Sequence, residues 1–176
     1  MKDLSTPNMD IITGILYSTV SENVCRLKES IEDASEVEIH FKGKEHNENS
    51  IAELLKHIAY VDLRWVYRLK CTSIPPELEK EYGPELDEKG NLPSAEGSSL
   101  SFLLQQLDAV HQKLKEVCVT LKDENLTKVV SYEKGEKATI RWGLWHMADH
   151  NRYHQAHINK LRQMYKRTKR KRHSPP

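Results

Sequence analysis

Apolar residues recur at steps of three and four along four stretches of the chain, the spacing that puts them on one face of an α-helix. The first runs from about Met9 to Ile31, with Ile12, Leu16, Val20, Val24, Leu27 and Ile31 in line. The second opens at Asn49-Ser50, where Ser50 and Glu53 have capping-box spacing, and continues through Leu54, Ile58, Val61, Trp65 and Leu69 to about Cys71. The third runs from about Ser99 to Leu121 on Leu103, Leu107, Val110, Leu114, Val117 and Leu121. The last starts near Thr139, as N-cap, and reaches about Lys166. Four amphipathic helices in 176 residues predict an all-α fold, a four-helix bundle with long connections, whose sites are built inside from facing helices.

The links between these helices are long, so their order and handedness cannot be read from loop length. The polar loop from Asp33 to Asn49 holds a strand-like piece, Val37–Phe41. Ile74-Pro75-Pro76 stops the second helix. The charged stretch from there to Ser99 carries Pro84, Gly90, Pro93 and Gly97. It is too long for a structureless loop in a compact domain, which predicts a short helix within Pro76–Tyr82 and a lid-like remainder. The link from Lys122 to Ala138 includes Val129-Val130-Ser131-Tyr132 and a Lys134-Gly135 turn.

Composition narrows the class. The net charge of +1 hides a basic end, where Lys166, Arg167, Lys169, Arg170, Lys171 and Arg172 crowd together. The rest is mildly acidic, which speaks against nucleic acid as the main partner. The expected organisation is one domain over residues 1–165 and a basic, disordered tail over 166–176. Cys25, Cys71 and Cys118 are odd in number and far apart, so neither a disulfide framework nor a thiolate zinc site is indicated. No run approaches the ~18 apolar residues of a membrane span, and the start lacks a signal-peptide core. A cytoplasmic protein with no membrane association is the expectation.

The chemistry concentrates in His146-Met-Ala-Asp-His150-Asn-Arg-Tyr-His154-Gln-Ala-His157. At about 100° per residue the four histidines fall in the same arc as Leu161, facing the interior. Buried imidazoles need partners, and crowded ones cannot all become cations, whereas neutral imidazole is the commonest metal ligand. His146 and His154 lie ~12 Å apart along the axis and cannot share an ion. That leaves His146/His150 or His150/His154, with His154/His157 a poorer third. A third ligand must come from elsewhere in the chain; His40 and His46 sit in a polar loop and His173 in the tail, and on geometry alone His57 and His111 compete for that place.

The segment Ser50-Ile-Ala-Glu-Leu-Leu-Lys-His57-Ile-Ala, taken with Trp142-Gly-Leu-Trp-His146 through His157-Ile, resembles the DinB/YfiT-like family. That family combines a leucine-rich helix bearing one histidine with a final helix reading His-x-x-x-His. Nearly the whole chain takes part in the resemblance. It implies a metal triad of His57, His150 and His154, with His146 one turn earlier as a non-ligand. His157 stands where the family usually has Gln, and Gln155-Ala156 where many members have Arg-Gly, so His157 is expected either to add a polar group near the site or simply to pair with backbone or water. The resemblance also implies a metal-dependent hydrolase, or a transferase using a low-molecular-weight thiol, that works on a small-molecule substrate. A non-catalytic metal- or ligand-binding bundle in stress response, and a homodimeric scaffold, are the other expectations.

Three imidazoles leave a divalent ion, zinc or nickel, with positions open to water or thiol. Ordinary imidazole pKa values near ~6.5 put metal loss between about pH 6.5 and 5. Around the triad, Glu53 lies one turn before His57 and is expected to cap the helix or to orient that ring. Tyr60 and Arg64 are candidates for substrate contact, with an ordinary open bundle rim as the simpler reading. Asp62, about 140° round the helix from His57, reads as exposed, and Asp149 as off the site face. Trp65, Trp142 and Trp145 read as packing residues.

Overall fold

The structure, a computed structural model, describes residues 3–172. It is mostly helical. Four long helices, α1 (Ile11–Glu29), α3 (Ile51–Leu69), α5 (Leu100–Thr120) and α6 (Ile140–Arg172), are accompanied by two short ones, α2 (Glu36–Ile39) and α4 (Pro76–Tyr82). Strands β1 (Val129–Ser131) and β2 (Lys137–Thr139) form an antiparallel hairpin with Val130 opposite Ala138. No helix among the described residues is long and apolar enough to cross a membrane.

Each long helix packs on two others: α3 on α5 and α6, and α1 on α6 and α5. Their directions follow from which residues meet. Tyr17 stacks on His111 and Lys28 pairs with Asp108 at 2.7 Å, so α1 and α5 run antiparallel. Asn23 donates to the Ala148 carbonyl while Arg162 reaches the Ser30 carbonyl, so α1 and α6 run parallel. Trp65 meets Trp142 and His57 meets His150, which makes α3 and α6 antiparallel. Hence α3 and α5 point the same way. A chain leaving the end of α3 must return along its whole length, ~28 Å for 19 residues, before α5 can begin. That return accounts for the long connection from 70 to 99.

Local sequence explains most element ends. Ser50 and Glu53 close their capping box, with Ser50 N–H on Glu53 Oε2 at 2.9 Å and Glu53 N–H on Ser50 Oγ at 3.2 Å. Ser99 accepts from Phe102 N–H, and Thr139 accepts from Trp142 N–H, each at 3.2 Å. The start of α1 is capped from a distance: Asp123 accepts from the N–H groups of Ile12 and Thr13. Tyr17, Val20, Val24 and Leu27 of α1 then enter the core alongside Ile58, Leu63, Trp65, Leu107, Leu114 and Ile158.

Three expectations are corrected. Val37–Phe41 is not strand-like; it belongs to α2 and its end, because Ser35 caps Glu38 N–H and two glutamates sit in the first turn. Ile12 is 47% exposed, since the buried stripe of α1 starts through Thr13 and Gly14 instead. The last helix continues to Arg172, so the basic segment is helical as far as it is described; residues 173–176 lie outside the described residues. The short helix expected within Pro76–Tyr82 is α4.

Candidate metal centre

His57 comes from the middle of α3, and His150 and His154 from consecutive turns of α6. Because α3 and α6 run antiparallel, the three rings meet between them. His150 Nε2 stands 3.2 Å from His57 Nε2 and 3.0 Å from His154 Nε2. One ring nitrogen from each histidine lies within 4.8 Å of the other two. Nitrogens bound to a single zinc at 2.0–2.1 Å stand within ~4 Å of one another, a spacing that the His57–His150 and His150–His154 pairs meet, so the three rings could hold one ion.

The rings are held neutral. Burial pushes His57 down to about 4, against a weak opposing pull from Glu133. Burial pushes His150 down to about 2 and His154 to about 3, with the neighbouring histidines adding to both shifts. His57 Nδ1 lies 3.4 Å from the Glu85 carbonyl, which selects the tautomer with a proton on Nδ1 and leaves the Nε2 lone pair facing the other rings. Lone pairs facing each other at about 3 Å repel unless a proton or a cation sits among them. The Nδ1 atoms of His150 and His154 are buried without a hydrogen-bond partner. The donor set therefore fits a divalent ion that accepts imidazole. It also moves the expected pH window: a folded site with these depressed pKa values competes with protons only below about pH 5, not through 6.5 to 5.

The other expected site residues fall around this cluster in different ways. His146 is outside it, its ring stacked on Trp142 at 4.7 Å and tilted against Trp65 and Tyr132. His157 packs on Tyr153 at 4.4 Å and reaches His154 only ring to ring, at 5.8 Å. Glu53 does not orient His57. Its carboxylate is taken by Ser50 N–H and by Lys42 Nζ at 2.7 Å. Tyr60 and Arg64 hold the returning connection instead of lining an open rim. The Tyr60 hydroxyl donates to Glu79 on α4, and Arg64 pairs with Glu85. Further along, Lys56 reaches the Ser94 carbonyl at 3.3 Å. The expected lid thus runs down α3 and crosses the histidine face.

A second cover comes from the hairpin. Tyr132 stacks on Trp65, and Glu133 lies 3.7 Å from Arg64 and 3.9 Å from Arg68. The Arg68 guanidinium rests over the rings of Trp65 and Tyr132. Gly143 permits this wall, because a Cβ there would stand 2.3 Å from the Trp65 ring. Glu79, Glu85, Tyr132 and Glu133 were missed by sequence reasoning, since only the tertiary path of the chain brings them to α3; Arg68, on α3 itself, was missed because its partners Tyr132 and Glu133 arrive with the hairpin. Asp62 is corrected: it is 3% exposed, because α3 is enclosed by α5 and α6 together and has almost no outer face. Trp145 is also corrected, being half exposed. His111 stacks alone on Tyr17, away from the cluster. A cleft of about 530 Å³ lies between the C-terminal ends of α3 and α5, and none of the three histidines lines it.

The comparisons with known proteins identify the family of the chain. The family model described as the DinB superfamily matches residues 22–158, a span that contains all three histidines. The chain is similar to the uncharacterized protein YkkA of Bacillus subtilis (strain 168), with 48% identity over 168 residues covering 94% of this chain and 95% of that protein.

Proposed function

Taking as premise that this chain belongs to the DinB superfamily, we propose that it is a metalloprotein in which His57, His150 and His154 hold one divalent ion, zinc or nickel, through their Nε2 atoms. The observation that carries this reading is the convergence of three neutral ring nitrogens from two antiparallel helices. We read the four packed helices as the four-helix bundle expected of this family. Three protein ligands are the pattern of a catalytic site, where a bound ion supplies a water of lowered pKa or stabilises a thiolate. The activity we assign is metal-dependent hydrolysis, or transfer of a low-molecular-weight thiol, on a small-molecule substrate.

The chain's own residues have definable parts in this. The Glu85 carbonyl fixes the tautomer of His57. Arg64, bonded to Glu85 and near Glu133, ties the two covers over the histidines. His146, outside the cluster and 5.8 Å ring to ring from His150, belongs to the wall of Trp65, Tyr132 and Trp142 beside it. In this reading the protein is a cytoplasmic homodimer, and light scattering on the purified chain tests the dimer.

A non-catalytic metal- or ligand-binding role in stress response has one observation in its favour: His57 and His154 are each less than a tenth exposed beneath the returning connection. Chelation separates the two readings. An enzyme whose core stands on its apolar stripes stays helical by circular dichroism after chelation and melts lower. At metal a hundredfold above Kd the loss is about 2.7 kcal/mol. Complete unfolding on chelation would make the ion structural. Metal analysis of the purified protein, followed by turnover assays with small thiols as cosubstrates, then tests the activity.

A further inference from the structure

Behind the histidine cluster, α3 and α6 are joined by a second polar contact. Asn151 follows His150 in the chain and is 1% exposed; Asp62 is 3% exposed. Asn151 Nδ2 donates to Asp62 Oδ2 at 3.1 Å. The remaining oxygens, Asp62 Oδ1 and Asn151 Oδ1, are buried with no hydrogen-bond partner. An ionised carboxylate can only accept, so it leaves both oxygens unserved in an apolar interior. One proton on Asp62 removes both defects. The acid O–H then donates to the amide oxygen while the amide N–H donates to the acid, and each group gives one bond and takes one.

We infer that Asp62 is a positioning residue: as a neutral acid it forms a two-point pair with Asn151 and fixes the turn of α6 that carries His150 against the turn of α3 that follows His57. Its effect on metal rests on the metal-site reading above; the acid–amide pair itself does not. The electrostatics agree with the geometry. Burial pushes the Asp62 carboxyl up to about 7, and only the Asn151 hydrogen bond opposes it. The titratable and charged groups of the elements packed on α3 contribute nothing to this shift: Glu38 on α2, Glu79 on α4, His111 and Lys113 on α5, and His146, His150, His154 and Arg162 on α6. With no cation to hold a charge there, the neutral form is the one that fits.

The test has two independent readouts. The first is the carboxyl-carbon NMR titration of Asp62 in chelated, aspartate-labelled protein. A protonated carboxyl at pH 6 is expected, and an ionised one at pH 6 overturns the pair, since an ordinary aspartate titrates near ~3.9. The second is zinc affinity by chelator competition. Asp62→Asn should hold affinity within about twofold, because an amide can also give one bond and take one. Asp62→Leu should lose roughly tenfold or more, the cost usual for residues that orient ligands. Equal losses in Asp62→Asn and Asp62→Leu overturn the inference. Wild-type protein that binds no stoichiometric zinc would remove the metal reading and the positioning role together, while the carboxyl titration still decides the pair.

Discussion

His111 and the His57–His150–His154 cluster are both imidazole sites on long helices, His111 and His150 part-buried, His57 and His154 buried, and burial lowers the pKa of each. Both also carry a ring nitrogen with no partner, Nε2 in His111 and Nδ1 in His150 and His154. They differ in what the rings meet. His111 lies flat on Tyr17, with ring planes 10° apart, and is not among the described residues whose ligand atoms converge. In the cluster each Nε2 points at another Nε2. Desolvation therefore favours the neutral histidine in both places, but only convergence brings neutral rings close enough together that they could hold one ion. That convergence requires two helices in antiparallel register, which α3 and α6 have and α1 and α5 do not use in this way.

The sharpest way to break the comparison is to remove the central ring. His150→Ala should weaken metal binding by at least about 100-fold, since one of three ligands contributes a large share of a site's free energy. Chelator competition measures it, and a change under tenfold would mean that the ion is held elsewhere.

Acid stability of the chelated protein gives the next largest effect. The cluster histidines have folded pKa values of about 4, 2 and 3, below the unfolded ~6.5. The unfolded chain binds protons first, so the stability they contribute is complete above ~6.5 and is lost as pH falls from there through the folded values. Urea midpoints should fall steadily from pH 6.5 to 4. His150→Gln should flatten that slope more than His111→Gln, because neighbouring histidines lower His150 further; equal slopes would show that clustering adds nothing to burial. With metal bound, retention at pH 5 is expected by the same values.

Smaller effects sharpen the surroundings. Gly143→Ala forces a Cβ against Trp65 and should cost about 1–3 kcal/mol by thermal melting, with metal stoichiometry intact. An unchanged melt would mean that α6 shifts freely at this point. Glu53→Gln weakens the capping box and the Lys42 pair and should cost about 0.5–1 kcal/mol. Metal affinity should not change, because the carboxylate is not joined to His57.

Much of this was legible before the fold was known, for definite reasons. Periodicity places the long helices because each must bury a stripe, and Ser50, Ser99 and Thr139 mark their starts through side-chain caps. The inward arc of His150 and His154 follows from helix geometry alone, while the choice of His57 over His111 needed the family resemblance. Helix spacing could not say that α3 and α5 run parallel, so the path of the connection over His57 was hidden. With it went Glu79 and Glu85, and the hairpin hid Tyr132 and Glu133. Asp62 was misread because a helical wheel assumes an exposed side, which α3 lacks. Ser35 turned an apparent strand into a helix, a local signal that alternation at Val37–Phe41 obscured.

The most direct test of the account is the metal content of purified wild type, His57→Ala and His111→Ala, measured side by side by elemental analysis after identical loading and desalting. The account predicts one divalent ion per chain in wild type and in His111→Ala, and a loss of that ion in His57→Ala. Retention in His57→Ala with loss in His111→Ala would contradict it.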